Sequence, residues 1–391
     1  MIPPIALPGT APQPSAGLWL KKVRPQTPAI RNRGAWPRAD LDAVGPGPRR
    51  TIITCKLSPR RPPIVNDAPS TIERCCKPPP VRREDNAMQQ PGLIVAPLTP
   101  FTDALRIDEP ALRREIDYVV HDCRATMVVA AGVETQEYTY LSFEERKELI
   151  RRTVELVDGR VPVMVGISHP SFRTSIALAH EAEKLGAAAV QLLAPLRPFA
   201  GPPTQGDLIA YFEAVAKETR LPITLYLNPG PGADVSIPDT IALAKLPSIQ
   251  LIKESSRDLA RVSRLIVEVD RAGHARYHTT MQMLLATLQL GGSGATMPPP
   301  GSEIARHVID AFVARDYERA AEIQLQFALF PAKWMHRGLA PAMKAAMDLI
   351  GIPVGTPYPP YQPCSREEIE AMRSVLRTTV LSDRLSVTAA A

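Results

Sequence analysis

One lysine stands out by its position. Lys253 follows Ile249-Gln250-Leu251-Ile252, so an amine closes a short apolar run. In low dielectric an ammonium loses hydration, its pKa falls, and a neutral amine becomes available. Such an amine attacks a ketone and forms an imine, and the iminium then accepts electrons from a breaking C–C bond. The plain alternative is a rim lysine paired with a carboxylate such as Glu254. Tyr226 closes the preceding run, Ile223-Thr224-Leu225-Tyr226. A phenol beside that amine can carry protons to and from the carbinolamine. The alternative there is a tyrosine that buries its ring and bonds a carbonyl. Together the two residues point to Schiff-base chemistry more firmly than either alone.

Such residues need a scaffold. From residue 93 the chain alternates short β-rich runs with longer amphipathic ones. The expected strands are Leu93–Phe101, Thr126–Gly132, Val161–Ser168, Ala189–Pro195, Pro222–Asn228, Ile249–Ser256, Ala275–Met281 and Gly294–Met297. The expected helices are Asp108–Cys123, Phe143–Asp158, Phe172–Gly186, Asp207–Thr219, one from near Ile237, Asp258–Ala272, Met283–Leu290 and Ser302–Ala314. The strand runs are apolar without alternation, as when both faces are covered. Gly159, Gly186, Gly273 and Gly291 stand where helices stop. Eight units predict a closed (β/α)8 TIM barrel rather than an open doubly wound sheet, whose glycine-rich dinucleotide turn is missing. Three further helical runs, Tyr317–Met335, Leu339–Ile350 and Ser365–Leu376, form a C-terminal appendix. The domain reading is an extension over 1–87, a catalytic barrel over 88–314, the appendix over 315–380 and a tail over 381–391.

The chain has 391 residues, 45% of them apolar, and a formal charge of +6. That charge is unevenly spread. Residues 1–87 hold 15 Lys/Arg against 6 Asp/Glu and 17 of the 42 prolines, and the remainder is net acidic. The extension therefore reads as a disordered basic segment. Two other readings stay open for it: a transit peptide, or a segment outside the native protein, with synthesis starting at Met88. It lacks aromatic interleaving beyond Trp19 and Trp36, which argues against nucleic-acid binding. Five cysteines without metal-ligand spacing favour a reducing, cytoplasmic setting. No apolar run approaches the ~18 residues needed to span a membrane.

In such barrels the chemistry lies at the C-terminal strand ends. The polar residues there are Thr99; Glu134, Thr135 and Glu137; Ser168 and His169; Arg197; Tyr226 and Asn228; Lys253 to Ser256; Thr279 and Thr280; and Thr296.

At these residues the chain resembles the dihydrodipicolinate synthase / N-acetylneuraminate lyase family of Schiff-base aldolases. The resemblance runs from Gly92 to Leu376. It is carried by P-L-T-P-F at Pro97–Phe101, E-x-x-x-L-S at Glu137–Ser142, Y-x-x-P at Tyr226–Pro229, I-K-E-S at Ile252–Ser255 and G-G-x-G at Gly291–Gly294. It implies Lys253 as the imine lysine, Tyr226 as the acid/base, and a donor carboxylate held around Thr135 and near Thr296. Ser255, in the lysine motif, joins the expected substrate-binding set. A homo-oligomer, tetramer or dimer, is implied as well. The expected partners are a 2-oxo acid such as pyruvate and an aldehyde, with no cofactor required.

The chain departs from the family at three places. Where the family has G-T-T-G-E, it reads Gly132-Val133-Glu134-Thr135-Gln136-Glu137. Counting back from Leu141-Ser142 puts Glu134 and Thr135 in the threonine places; counting forward from Gly132 puts Val133 and Glu134 there. The first register keeps Glu137 and Thr135 in position. Glu134 then either replaces a threonine in the proton relay or pairs with a cationic substrate group. The synthases' S-R-T-G, whose arginine grips a second substrate carboxylate, is replaced by Gly230-Pro231-Gly232-Ala233. The tyrosine that a neighbouring subunit lends to the synthase relay is missing near Leu196-Arg197. Arg197 is then a candidate for an anionic substrate group, and His169 for a contact at the third strand end. The competing functions are 4-hydroxy-tetrahydrodipicolinate synthase proper, a metal-assisted barrel using Glu134, Glu137 and His169, and a ligand-sensing barrel.

Overall fold

The computed structural model describes residues 91–197, 201–228 and 232–385. The extension expected over 1–87 lies outside them. Eight strands form the sheet: β1 (Gly92–Val95), β2 (Met127–Ala130), β3 (Val163–Gly166), β4 (Ala189–Leu193), β5 (Ile223–Leu227), β6 (Ile249–Glu254), β7 (Arg276–Thr279) and β8 (Gly294–Met297). They close into a barrel in chain order, and β8 pairs parallel to β1. One helix follows each strand: α1 (Glu109–His121), α2 (Phe143–Val157), α3 (Phe172–Lys184), α4 (Gln205–Ala216), α5 (Ile237–Ala244), α6 (Leu259–Leu265), α7 (Leu284–Gln289) and α8 (Gly301–Val313). This is the (β/α)8 barrel that the periodicity predicted. Among the described residues no helix is long and apolar enough to cross a membrane.

Local chemistry sets the helix starts. Ser142 and Glu145 form a reciprocal capping box at α2, and Thr204 and Asp207 another at α4. Each cap satisfies backbone N–H groups that a first turn leaves without partners, an effect of ~1 kcal/mol. The four glycines expected to stop helices all have positive φ. All strands but β8 end earlier than the apolar runs. β1 stops at Val95 because Pro97 and Pro100 have no N–H to continue a ladder.

The strands separate two cores. Ile94, Ala96, Val129, Met164 and Ala189, with Met127 and Leu251, pack inside the barrel. The larger cluster fills the layer between strands and helices. Inward and outward residues alternate along each strand, so the inside of β6 reads Leu251 then Lys253.

The appendix holds α9 (Tyr317–Leu325), α10 (Leu339–Leu349) and α11 (Arg366–Leu376). The single helix expected over Tyr317–Met335 is broken: α9 ends at Leu325 and separate 3-10 turns follow at Gln326–Ala328 and Ala332–Arg337. Pro331 lies between those turns and offers no N–H for a helical bond. The helix expected over Asp258–Ala272 likewise widens into a π-turn at Ile266–Asp270.

From α10, the fully buried Lys344 reaches the mouth. Its Nζ lies 3.1 Å from the Glu137 carboxylate and donates to the carbonyls of Thr99, Val354 and Thr356. Glu137 in turn accepts from the Thr99 backbone N–H at 2.8 Å.

Candidate active site

Tyr226, Lys253 and His278 occupy one register line across β5, β6 and β7, so all three side chains face the barrel interior. Lys253 is 3% exposed. Its Nζ donates to Tyr226 Oη at 2.7 Å and to Ser255 Oγ at 2.6 Å. The carboxylate next to it in sequence is turned to the other face. Glu254 accepts from Arg261 at 2.5 Å and from Tyr277 Oη at 2.8 Å. The rim ion pair with Glu254 is therefore not formed.

Burial lowers the Lys253 ammonium to about 8, against the opposing pull of the Glu134 and Glu254 carboxylates. Roughly a tenth of the side chain is then neutral amine at pH 7, against roughly one part in 3,000 for an ordinary lysine. Burial also raises the Tyr226 phenol well above its usual range, helped by the nearby Glu134 carboxylate. Tyr226 is therefore held as a protonated phenol and not as a standing phenolate. Burial pushes Glu134 upward too, with Lys253 opposing. An acid displaced upward and an amine displaced downward can exchange one proton at little cost.

Glu134 reaches this place from the turn after β2. Its side chain is 7% exposed, and one carboxylate oxygen accepts from Gln191 Nε2 at 3.0 Å. Its other oxygen, Oε2, has no partner among the described residues. Val133 before it is fully buried, and Thr135 after it is half-buried. Glu134 is thus the side chain that this turn sends inward. Thr296 stands in register with Ile94 of the interior cluster, and its buried hydroxyl also lacks a partner. Two sequence candidates thereby offer unsatisfied polar atoms inside the barrel.

Other candidates are not drawn in. Arg197 is exposed and its guanidinium holds Asp207 at 2.5 Å, a partner from α4. His169 is exposed, and its Nδ1 accepts from the Ser171 N–H at 2.9 Å. It lines a separate cavity of about 540 Å³ whose walls include Tyr138, Arg146 and Leu196 but none of Lys253, Tyr226 and Glu134. Thr279 is in register with Ala295, which belongs to the outer core, so it points away from the interior. Glu137 is committed to Thr99 and Lys344. The trio Glu134, Glu137 and His169 is therefore not gathered as a metal site. Among the described residues no group of three or more His, Cys, Asp or Glu is placed to hold one.

Two interior residues were not singled out from the sequence. Gln191 is fully buried in β4, and His278 is 1% exposed in β7. The imidazole is pushed down to about 3, mainly by burial, so it is neutral at physiological pH. It fills space left by Gly92, where a Cβ would come within 2.8 Å of the ring, and stands in register with Gly294. For Gln191 the available signal was a lone polar side chain inside an otherwise apolar strand run; His278, flanked by Arg276, Tyr277 and Thr279, offered no such contrast.

Comparisons with known proteins agree with this geometry. A sequence model of the dihydrodipicolinate synthetase family matches residues 89–379. The chain is 30% identical over 298 residues to 4-hydroxy-tetrahydrodipicolinate synthase of Bacillus velezensis, covering 73% of this chain and 98% of that protein. It is 32% identical over 294 residues to the enzyme of the same name from Desulforudis audaxviator, covering 74% and 97%. Among solved structures, YagE of Escherichia coli K12, a prophage protein of the dihydrodipicolinic acid synthase family in complex with pyruvate, superimposes with a TM-score of 0.66 at 26% identity. That match covers 75% of this chain and 98% of YagE. N-acetylneuraminate lyase from Mycoplasma synoviae, at 22% identity and a TM-score of 0.65 over 75% of this chain and all of that one, shares the fold. The chain belongs to the dihydrodipicolinate synthetase family and is a Schiff-base-forming lyase of the class I aldolase type.

Proposed function

We propose that the enzyme binds a 2-oxo acid, pyruvate or a longer homologue, as an imine on Lys253. The neutral amine attacks the ketone carbon, and Tyr226 donates a proton to the oxygen as the carbinolamine forms. A second proton lets that oxygen leave as water, and the iminium remains. Glu134 supplies the basic partner: its unpartnered oxygen takes a proton from the ammonium and returns it later. Loss of a proton or of a C–C bond beside the iminium carbon then gives an enamine, the intermediate common to aldol cleavage, condensation and dehydration. Ser255 and Thr296 provide hydroxyls for the bound acid, with Thr135 at the edge of the mouth.

The observation that carries this reading is the buried Lys253 Nζ, held by two hydroxyls at 2.7 and 2.6 Å. A hydroxyl can donate as well as accept, so both partners tolerate the loss of the lysine's proton. Borohydride trapping with pyruvate and longer 2-oxo acids, followed by peptide mass mapping, tests the reading. A reduced adduct on Lys253 is expected, and the acid trapped best identifies the substrate class. A folded protein that gives no adduct with any acid sinks it.

The synthase reaction itself is the second reading, favoured by the names of the relatives. Against it stands Ala233, 1% exposed, in a segment where the synthases place an arginine. Glu134 adds negative charge where that substrate is anionic. We therefore favour a substrate whose distal part is neutral or hydroxylated. A cytoplasmic setting fits the buried thiols of Cys123 and Cys364. A homo-oligomer fits the exposed apolar side chains Phe143, Phe172 and Leu196.

A further inference from the structure

Gln191 occupies an inward position of β4, in register with Gly166 of β3 and Thr224 of β5. An amide there is costly unless both of its ends are satisfied. Both are. Gln191 Oε1 accepts from the Val133 N–H at 2.9 Å, and Nε2 donates to Glu134 Oε1 at 3.0 Å. The backbone N–H of Val133 can only donate, so the amide oxygen must face it. The amino end is then forced toward Glu134.

Gly166 lets the turn come this far inward. A Cβ at that position would meet the carbonyl oxygen of Ala131 at 2.1 Å. The turn thus lies against the end of β3, and Gln191 from the next strand grips its backbone and its carboxylate together. One oxygen of Glu134 is used in that grip, and Oε2 has no partner among the described residues. A glutamine serving only to pin the turn would need only the Val133 bond. The second bond selects the orientation of the carboxylate.

We propose that Gln191 is a positioning residue: it fixes Glu134 by one oxygen and leaves the other free to exchange a proton with Lys253 and the bound substrate. The proposal rests on the Schiff-base reading above. It adds a residue that acts through Glu134 without touching the substrate.

The test uses the full-length protein with pyruvate as probe. An imine on Lys253 passes to its enamine by losing a methyl proton to a base, the C–H electron pair flowing toward nitrogen. In D₂O a deuteron returns in its place, so methyl exchange followed by proton NMR reports proton transfer without an aldehyde. Three proteins are compared over a range of pH: wild type, Gln191→Met and Gln191→Glu. Gln191→Met keeps the volume and removes both hydrogen bonds. Borohydride should still trap Lys253 in this variant. Its exchange rate should fall about 10- to 100-fold, with kcat affected more than KM for pyruvate. The acid limb of its profile should move to higher pH, because a donor favouring the ionised form of Glu134 is lost. Gln191→Glu offers the same donor and acceptor only while protonated. Its exchange should approach wild type at low pH and fall as the new carboxyl ionises beside Glu134.

Variant profiles that superimpose on wild type within about twofold, with Lys253 trapped in each protein, overturn the role of Gln191 and leave the lysine reading intact. No adduct in wild type overturns the lysine reading, and this one with it. Should Gln191→Met fail to fold, the pH profile of Gln191→Glu alone decides.

Discussion

Two lysines are buried in this molecule to nearly the same degree, and their partners are of opposite kinds. Lys344 is 2% exposed and Lys253 is 3% exposed. Lys344 faces the carbonyls of Thr99, Val354 and Thr356 and the Glu137 carboxylate. Every one of these can only accept, so the amine can only donate and acts as a strut. Lys253 faces two hydroxyls, which can reverse their direction, and the Glu134 carboxylate that acts on it most is itself raised by burial. Burial alone does not make a lysine reactive. The kind of atom that satisfies it decides.

The contrast predicts separable effects. Lys253→Gln should abolish trapping and lower turnover on the order of 10⁴-fold or more, while the thermal midpoint stays near wild type. A retained adduct on another residue would break the comparison. Tyr226→Phe keeps the ring and removes the donor. Imine formation, followed by rapid quench, should slow by about 10²–10³-fold. Lys344→Met should act on stability instead, because it strands the Glu137 carboxylate in the interior. We expect a loss of about 3–5 kcal/mol, read from the denaturant midpoint. A Lys344 variant of unchanged stability would show that the strut carries no weight.

The smallest effect concerns pH. The rate of imine formation should rise with pH through about 8, as Lys253 loses its proton. Glu134 favours the ammonium, so Glu134→Gln should shift that rise to lower pH. A shift to higher pH in the rate profile would contradict the placement of Glu134.

The barrel was readable because it rests on repeated local rules. Apolar runs without alternation recur along the chain, glycines stand at the ends of four helices, and β8 spans Gly294–Met297 as expected. Lys253, Tyr226, Ser255 and Thr296 were readable because the period of a strand fixes which way a residue at its end points. His169 and Arg197 lie past their strand ends, in segments where no period sets direction. They found partners in Ser171 and Asp207 instead. Glu134 is also on a turn, yet it points inward because Gly166 and Gln191 draw the turn in. That pull comes from the third and fourth strands, distant in sequence from the second. Gln191 itself was hidden inside an apolar run, where its amide looked like an imperfection in the pattern.

The Lys344 contact also bears on the order in which the molecule is finished. Synthesis proceeds from the amino end, and the barrel strands emerge before α10 does. The turn that carries Glu134 leads directly into Glu137, and Glu137 gains its ammonium partner only when residue 344 has left the ribosome. The second loop to be made is thus completed by one of the last helices. A nascent chain holding all eight strands still lacks the anchor of the turn that carries Glu134, and shortening the carboxyl end past α10 would return the finished enzyme to that state.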